Sequence, residues 1–297
     1  MADATEKAVP AACVEHRIPH AGGNVYVRDF PGDGPPFVLL HGFPDNGHIF
    51  DDLIPHLVAG GRRVLVPDFL GFGASDKPAG ADYSFAQQLG DLEAVVDALG
   101  CETVIPVGHD AGGPAAVNFG LKHPRRTAAI GFMNAFYGGH PGLRVPEFIE
   151  LFANRNLQAL TRALVTDPQL FAWLLGFQRE RLQAFLKDKH KPRYTDFLGP
   201  LIDDNFRRQP GAGPAFAQMT LQLWDEVAAN TARLTALRAS PVPMMLIWGG
   251  RDPYLHVSVA EDMRAQVRNA VLHVLDAGHW PQIDEAAEVA RLLLTAG

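Results

Sequence analysis

Short apolar runs without polar alternation recur at six places along the chain. They are Phe37–His41, Arg63–Asp68, Thr103–Gly108, Ala128–Met133, Pro243–Trp248 and Ala270–Leu275. Continuous apolar runs of this length are typical of strands that are covered on both faces of a parallel sheet. The pattern therefore predicts a sheet buried inside the protein.

Helical segments lie between these runs. Ser84–Leu99 begins with a residue suited to the N-cap and is followed by Gly100, which is typical of a helix end. Gly112–His123 is ended by Pro124, and Glu285–Leu294 is the last helix of the chain. Strands that alternate with helices indicate βαβ units, so the predicted fold class is α/β, with a doubly wound and mostly parallel sheet.

The alternation stops between Tyr137 and Leu237. This stretch is rich in Phe, Leu and Arg, contains several prolines and has no clear strand pattern. It is interpreted as a helical domain, residues 137–237, inserted between two strands of the sheet. The core domain would then consist of residues 1–136 and 238–297.

Composition narrows the function classes. The 297 residues are 47% hydrophobic and 20% charged, which is ordinary for a globular protein. The net charge of −7 comes without a basic stripe, so nucleic acid is a poor candidate partner. We expect a monomer or homodimer that acts on a small molecule.

Neither cysteine belongs to a Cys-x-x-Cys pair, which argues against zinc and redox motifs at Cys13 and Cys101. Met1–Pro10 lacks the apolar core of a signal peptide, and no stretch is long and apolar enough to span a bilayer. These features predict a cytoplasmic protein without membrane contact. The sequence has neither a dinucleotide-binding glycine fingerprint nor a metal-ligand cluster, so no cofactor or metal is expected.

The strongest chemical signal is Val107–Gly113, which follows a predicted strand and opens a predicted helix. It fits a Gly-x-nucleophile-x-Gly elbow with Asp110 in the nucleophile position. Two further residues complete a triad in the order nucleophile, acid, histidine. Asp252 and His279 each follow a predicted late strand, whereas the alternative acid position is occupied by Asn134.

The loop after the first apolar run begins His41-Gly-Phe43. The backbone N–H groups of Phe43 and of Ala111, directly after the nucleophile, are the candidates for an oxyanion hole. An aspartate is already ionised at neutral pH and can attack an sp³ carbon without a base. The resulting ester on Asp110 would be hydrolysed by a water that His279 activates.

On these motifs the chain resembles the α/β-hydrolase superfamily over nearly its whole length. The aspartate nucleophile resembles the haloalkane dehalogenase and epoxide hydrolase branch, in which the inserted helices form a cap. Pro67–Pro78 is similar to a loop of dehalogenases, and Met133–Ala135 is similar to one dehalogenase subgroup. The resemblance implies a hydrolase of carbon–halogen bonds or, alternatively, of epoxides.

The chain departs from both patterns. Dehalogenases usually have Trp after the nucleophile and often have Asn or Glu after the His-Gly pair, whereas this chain has Ala111 and Phe43. Fluoroacetate dehalogenases have Arg after the nucleophile. Epoxide hydrolases use two cap tyrosines, and the spacing of Tyr137 and Tyr194 does not match theirs.

Residues that could stabilise the leaving group or contact substrate therefore have to be sought elsewhere. The candidates are Trp173, Trp224, Tyr194, Tyr137, His41 and Asn134. The phenylalanines of the inserted segment predict an apolar pocket and a small apolar substrate. Two further interpretations stay open at this point, a non-catalytic binding protein and an esterase.

Overall fold

One sheet of eight strands organises the protein in a computed structural model that describes residues 13–296. The strands are β1 (Val14–His20), β2 (Gly23–Phe30), β3 (Asp33–Leu40), β4 (Arg62–Asp68), β5 (Ile105–Asp110), β6 (Ile130–Ala135), β7 (Met244–Gly249) and β8 (Ala270–Leu275). Their order across the sheet is β1-β2-β4-β3-β5-β6-β7-β8. Met1–Pro10, in which the sequence predicts no signal peptide, lies outside the described residues.

The six predicted strands are β3 to β8, and they pair in parallel. The sequence pattern missed β1 and β2, which form an antiparallel hairpin that joins β4. In β2, Val25 and Val27 are buried while their neighbours are partly exposed. These strands cover the core with one face only, so they lack the continuous apolar run that marks the others.

Helices connect the strands on both faces of the sheet. They are α1 (Ile54–Ala59), α2 (Phe85–Ala98), α3 (Gly113–Lys122), α4 (Glu147–Ala153), α5 (Gln158–Thr166), α6 (Pro168–Gln183), α7 (Lys191–Arg193), α8 (Gly199–Arg207), α9 (Gly213–Ala239), α10 (Val257–Gln266), α11 (Pro281–Asp284) and α12 (Ala286–Leu293). A π-helical turn, Tyr194–Leu198, joins α7 to α8. The Ser84 hydroxyl accepts a hydrogen bond from the Gln87 N–H at 3.1 Å, so the predicted N-cap of α2 is confirmed.

The strand β3 shows how the sheet divides the core into two layers. Its side chains alternate between the faces, so that Phe37 and Leu39 pack into one buried cluster and Val38 and Leu40 into another. All four side chains are fully buried. A strand with both faces covered must be apolar at every position, which explains the unbroken run in the sequence.

The chain between β6 and β7 is helical and contains α4 to α9, as the interrupted alternation predicts. Its treatment as a separate cap domain bounded at residues 137 and 237 stays a prediction. Within residues 13–296, no helix is long and apolar enough to cross a membrane.

Candidate active site

Asp110 is the last residue of β5, at the carboxyl end of a central strand. Its φ of +49° lies in the left-handed region that non-glycine residues rarely adopt. The tight turn brings Gly108 so close to the following helix that a Cβ there would lie 2.5 Å from the carbonyl oxygen of Gly112. The strain and the close approach together lift the Asp110 side chain off the sheet, as an elbow requires.

The loop after β3 lies directly against the Asp110 carboxylate. A Cβ on Gly42 would be 2.5 Å from Oδ2 of Asp110, so only glycine fits there. The Phe43 N–H donates to the same oxygen at 3.4 Å. Burial raises the pKa of Asp110, while the positive charge of His279 and the N–H groups of Ala111 and Phe43 favour its ionised form. The two predicted oxyanion-hole donors therefore already face the carboxylate.

His279 follows β8 and is paired with Asp252, which follows β7. Nδ1 of His279 donates to Oδ2 of Asp252 at 2.6 Å. Oδ1 of Asp252 accepts the backbone N–H groups of Tyr254 at 2.9 Å and Leu255 at 3.1 Å. The Asn134 amide donates to Oδ2 at 2.9 Å. Both carboxylate oxygens of Asp252 thus accept two hydrogen bonds each, which holds the carboxylate in place and fixes the orientation of the imidazole ring.

Charges around His279 control its protonation. Burial alone would lower the pKa of His279, but the charge and hydrogen bond of Asp252, together with the charge of Asp110, raise it to about 9. At neutral pH His279 is therefore an imidazolium that faces two carboxylates. It becomes a base only when its pKa falls or the pH rises.

This coupling predicts a measurable shift. In Asp110→Asn, one of the negative charges that stabilise the imidazolium is removed, so the pKa of His279 should fall below its value of about 9. Titration of the His279 ring by ¹⁵N NMR measures the change. Asp203→Asn removes a carboxylate that lines the same cavity but is not among the charges that raise the pKa of His279, so it should leave that pKa unchanged. An unshifted pKa in Asp110→Asn would show that the Asp110 charge does not act on His279.

His41 does not line the cavity but packs under the loop that contains Gly42 and Phe43. Its Nδ1 donates to the Gly42 carbonyl at 2.6 Å, and its Nε2 accepts from the Phe69 N–H at 3.0 Å. Burial lowers the pKa of His41, which keeps the ring neutral and allows Nε2 to accept. His41 and Asn134 were candidates for substrate contact, but the structure gives them supporting positions under Phe43 and Asp252.

A second buried histidine supports His279 from below. Nε2 of His109 donates to the His279 backbone carbonyl at 2.8 Å. Next to it, Trp280 donates its ring N–H to Asp45 at 2.9 Å, and burial raises the pKa of Asp45 to about 7. No sequence pattern indicated a role for His109, Trp280 or Asp45, although each lies within four residues of a predicted site residue.

A cavity of about 870 Å³, including the part open to solvent, lies above Asp110 and His279. The core contributes Phe43 and Trp280 to its wall, and the helical segment contributes Phe148, Leu175 and several further apolar side chains. The wall is mostly apolar, as the phenylalanine content predicted. It also contains Arg144 and Arg179, which that prediction did not include.

The aromatic candidates divide into two groups. Trp173 is 64% exposed and stacks on Phe177 on the outside of α6, while Trp224 is 40% exposed, and neither reaches the cavity. Tyr137 is buried, but its hydroxyl donates to Asn118 at 2.8 Å, away from Asp110. Of these four candidates, Tyr194 is the one that lines the cavity, and its hydroxyl donates to Asp284 at 3.3 Å.

A second tyrosine on the cavity wall was missed. Tyr254 lies two residues after Asp252, accepts a hydrogen bond from the Gln178 amide at 2.6 Å and donates to Glu147 at 2.6 Å. Burial is the main cause that raises the pKa of Tyr254, and the hydrogen bond to Glu147 raises it further. The phenol is therefore neutral at physiological pH. Its place in the Asp252 loop was the signal that could have identified it.

Comparison with known proteins shows the family to which this fold belongs. The family described as the alpha/beta hydrolase fold matches residues 35–286. The chain belongs to this family, and the protein is an α/β-fold hydrolase. A haloalkane dehalogenase of Mesorhizobium japonicum is 26% identical over 96% of this chain and 91% of its own length. An epoxide hydrolase of Caballeronia sordidicola is 27% identical over 94% of this chain and 92% of its own.

A solved structure gives the same fold. The meta-cleavage product hydrolase of Pseudomonas fluorescens IP01 superposes with a TM-score of 0.75 at 25% identity and covers 95% of this chain and 96% of its own. Hydrolases with different named reactions are therefore similar to this chain to a comparable degree. The choice among reactions depends on the site itself.

Proposed function

We propose that this hydrolase uses Asp110 to attack an sp³ carbon and forms an alkyl ester that a His279-activated water then hydrolyses. The observation that carries the proposal is the arrangement of the Asp110 carboxylate. Its Oδ2 is bound by the Phe43 N–H at 3.4 Å, and the paired His279 and Asp252 lie beside it. An anionic carboxylate at an elbow is a nucleophile, and the same N–H groups are available to an oxyanion on its carbon.

In the first step, a lone pair of the Asp110 carboxylate forms a bond to the substrate carbon. The bond from that carbon to its leaving group breaks, and the leaving group takes the electron pair. Asp110 loses its negative charge when the ester forms. Since that charge is one of the causes that raise the pKa of His279, alkylation lowers the pKa and prepares the base.

In the second step, Nε2 of His279 takes a proton from water, and the hydroxide adds to the carbonyl carbon of the Asp110 ester. The N–H groups of Phe43 and Ala111 stabilise the oxyanion. Collapse of this intermediate breaks the bond to the alkyl oxygen, which takes the proton from His279 and leaves as an alcohol. Asp252 accepts from Nδ1 at 2.6 Å throughout, so Nε2 is the nitrogen that exchanges protons.

An epoxide is the electrophile that the wall of the cavity favours. Ring opening leaves an alkoxide, which needs a proton donor in the cavity. Tyr254 and Tyr194 line it, and burial raises the pKa of both phenols so that they stay protonated. To protonate the alkoxide, either hydroxyl would turn from its present acceptor, Glu147 or Asp284.

A halide instead needs N–H donors close to the reacting carbon; the predicted donors Trp173 and Trp224 do not reach the cavity, and the ring N–H of Trp280 is already donated to Asp45. Hydrolysis of a carbon–halogen bond stays the second candidate because of the similarity to a haloalkane dehalogenase.

His279→Phe tests the proposal directly, since it leaves the nucleophile and removes the base. The variant is incubated separately with matched epoxides and haloalkanes, and the intact protein mass is measured. We expect a stable ester on Asp110. An epoxide adds its whole mass, whereas a haloalkane adds its alkyl group without the halogen.

His273→Phe is the matched control, because His273 lies on β8 away from the cavity and should turn over without accumulating ester. Digestion of the protein localises the adduct, and a second substitution, Asp110→Asn, should abolish it. Turnover by the wild type without an adduct in His279→Phe would contradict the ester mechanism.

A further inference from the structure

Within residues 13–296, the mostly apolar wall of the cavity contains two arginines that form no ion pair. Arg179 on α6 is half-buried, and Arg144 lies in the segment between β6 and α4. Among residues 13–296, no carboxylate lies within 4.0 Å of either guanidinium. Arg181, two residues from Arg179, is by contrast paired with Glu147 at 3.5 Å. Of these two arginines on α6, the one on the cavity wall forms no ion pair within residues 13–296.

The position of Arg179 is shaped by its surroundings. Gly199 is buried at the start of α8, and a Cβ on it would lie 2.7 Å from Nη1 and 3.1 Å from Cδ of Arg179. The guanidinium therefore lies in the space that a side chain at position 199 would occupy. It is held against the backbone of α8 instead of extending into solvent, and a half-buried cation without a counterion is costly.

The other charges around the cavity are already engaged. Asp203 also lines the wall but is paired with Arg207 at 3.1 Å. Glu147 accepts from the Tyr254 hydroxyl at 2.6 Å and pairs with Arg181. Asp110 is occupied with His279 and the oxyanion-hole donors. Since Arg179 forms no ion pair in the described part of the chain, an anion inside the cavity could bind to it.

We propose that the substrate carries a carboxylate that binds to Arg179, with Arg144 as a second cation, while its apolar body contacts the phenylalanines of the wall. The planar guanidinium fork matches a carboxylate in two parallel hydrogen bonds. Arg179 is half-buried and Arg144 is exposed, so Arg179 is the main contact for a monoanion. This inference rests on the proposed function for the reacting end of the substrate and replaces the purely apolar substrate that the sequence predicted.

Binding of unreactive probes tests the inference without any chemistry at Asp110. Octanoate and octanamide have the same shape and differ in charge, and isothermal titration calorimetry gives their dissociation constants. We expect the wild type to bind octanoate at least about tenfold more tightly than octanamide. Arg179→Met should abolish this preference, and Arg144→Met should reduce it less.

Arg181→Met is the matched control, because Arg181 lies on the same helix but is not part of the cavity wall. It should keep the preference, and Arg179→Lys should keep part of it. Circular dichroism of each variant establishes that it is folded. Equal binding of the two probes by the wild type, no octanoate binding at millimolar concentration, or a preference that survives in Arg179→Met would overturn the inference.

The search for an ester in His279→Phe and the binding test with octanoate can fail independently. Octanoate binding without an ester on Asp110 would support the anion site and contradict the proposed reaction. An ester with 1,2-epoxyoctane but no octanoate preference would support the reaction and contradict the anion site. When both succeed, 7,8-epoxyoctanoate should have a higher kcat/KM than 1,2-epoxyoctane in the wild type, and this advantage should disappear in Arg179→Met.

Discussion

Asp110→Asn is expected to lower turnover by at least about 10⁴-fold, as loss of a nucleophile commonly does. The amide has nearly the same shape as the carboxylate, so the elbow and the contact with Gly42 should persist. It lacks the negative charge and the lone-pair basicity that an attack on carbon requires. The measurement is the steady-state rate on whichever substrate forms the ester, together with a thermal unfolding curve.

Asp203→Asn is the control for this variant, because Asp203 lines the same cavity but is paired with Arg207. It should stay within about tenfold of the wild type, as expected for a residue outside the chemical step. If Asp110→Asn kept the activity of the wild type, another nucleophile or a non-catalytic role would have to be considered. A variant that was inactive but unfolded would be replaced by Asp110→Ser for the same comparison.

Asp252→Asn should reduce turnover by about 10⁴-fold, but through the second step instead of the first. The backbone N–H groups of Tyr254 and Leu255 require an oxygen at Oδ1, so the new amide nitrogen would face His279 and Asn134. His279 would then lose its acceptor and hold its proton on Nε2, where it cannot take one from water. Its pKa should also fall, because the charge and hydrogen bond of Asp252 raise it in the wild type.

The distinguishing result for Asp252→Asn is one equivalent of ester on Asp110 that forms rapidly and decays slowly. Rapid mixing followed by intact mass measurement detects it. Asp276→Asn is the control, since Asp276 is exposed and paired with Arg251, and it should turn over without a stable ester. Equal slowing of ester formation and ester decay would contradict a role for Asp252 confined to the base.

The buried strands, and the meeting of Asp110, Asp252 and His279 at one edge of the sheet, could be predicted because both depend on local patterns. Parallel strands covered on both faces are apolar without interruption, and residues that follow their carboxyl ends meet at one edge of the sheet. The hairpin β1–β2 follows a different rule, since it buries one face, and its alternating pattern gave a weaker signal.

The cavity-lining residues of the helical segment were harder to predict, because its side chains can either line the cavity or lie on the outer surface. Trp173 and Arg179 lie on the same helix, but Trp173 lies outside and Arg179 lines the cavity. An apolar residue on such a helix packs or is exposed according to contacts that are distant in sequence. The direction of a side chain then depends on tertiary packing, which periodicity alone does not contain.

If the proposed reaction holds, the contact between Oδ2 of Asp110 and the Phe43 N–H would also determine which oxygen atom leaves with the product. In the proposed reaction, the substrate carbon bonds to the other carboxylate oxygen, and water later replaces that oxygen at the carbonyl carbon. The product therefore leaves with an oxygen atom that belonged to the enzyme, and the solvent oxygen stays behind on Asp110. If the Phe43 N–H keeps the carboxylate from rotating, the solvent oxygen left on Asp110 is the atom that attacks in the next turnover. Each product would then contain the solvent oxygen taken up in the previous turnover, so an isotopic label in the water would appear in the product one turnover late.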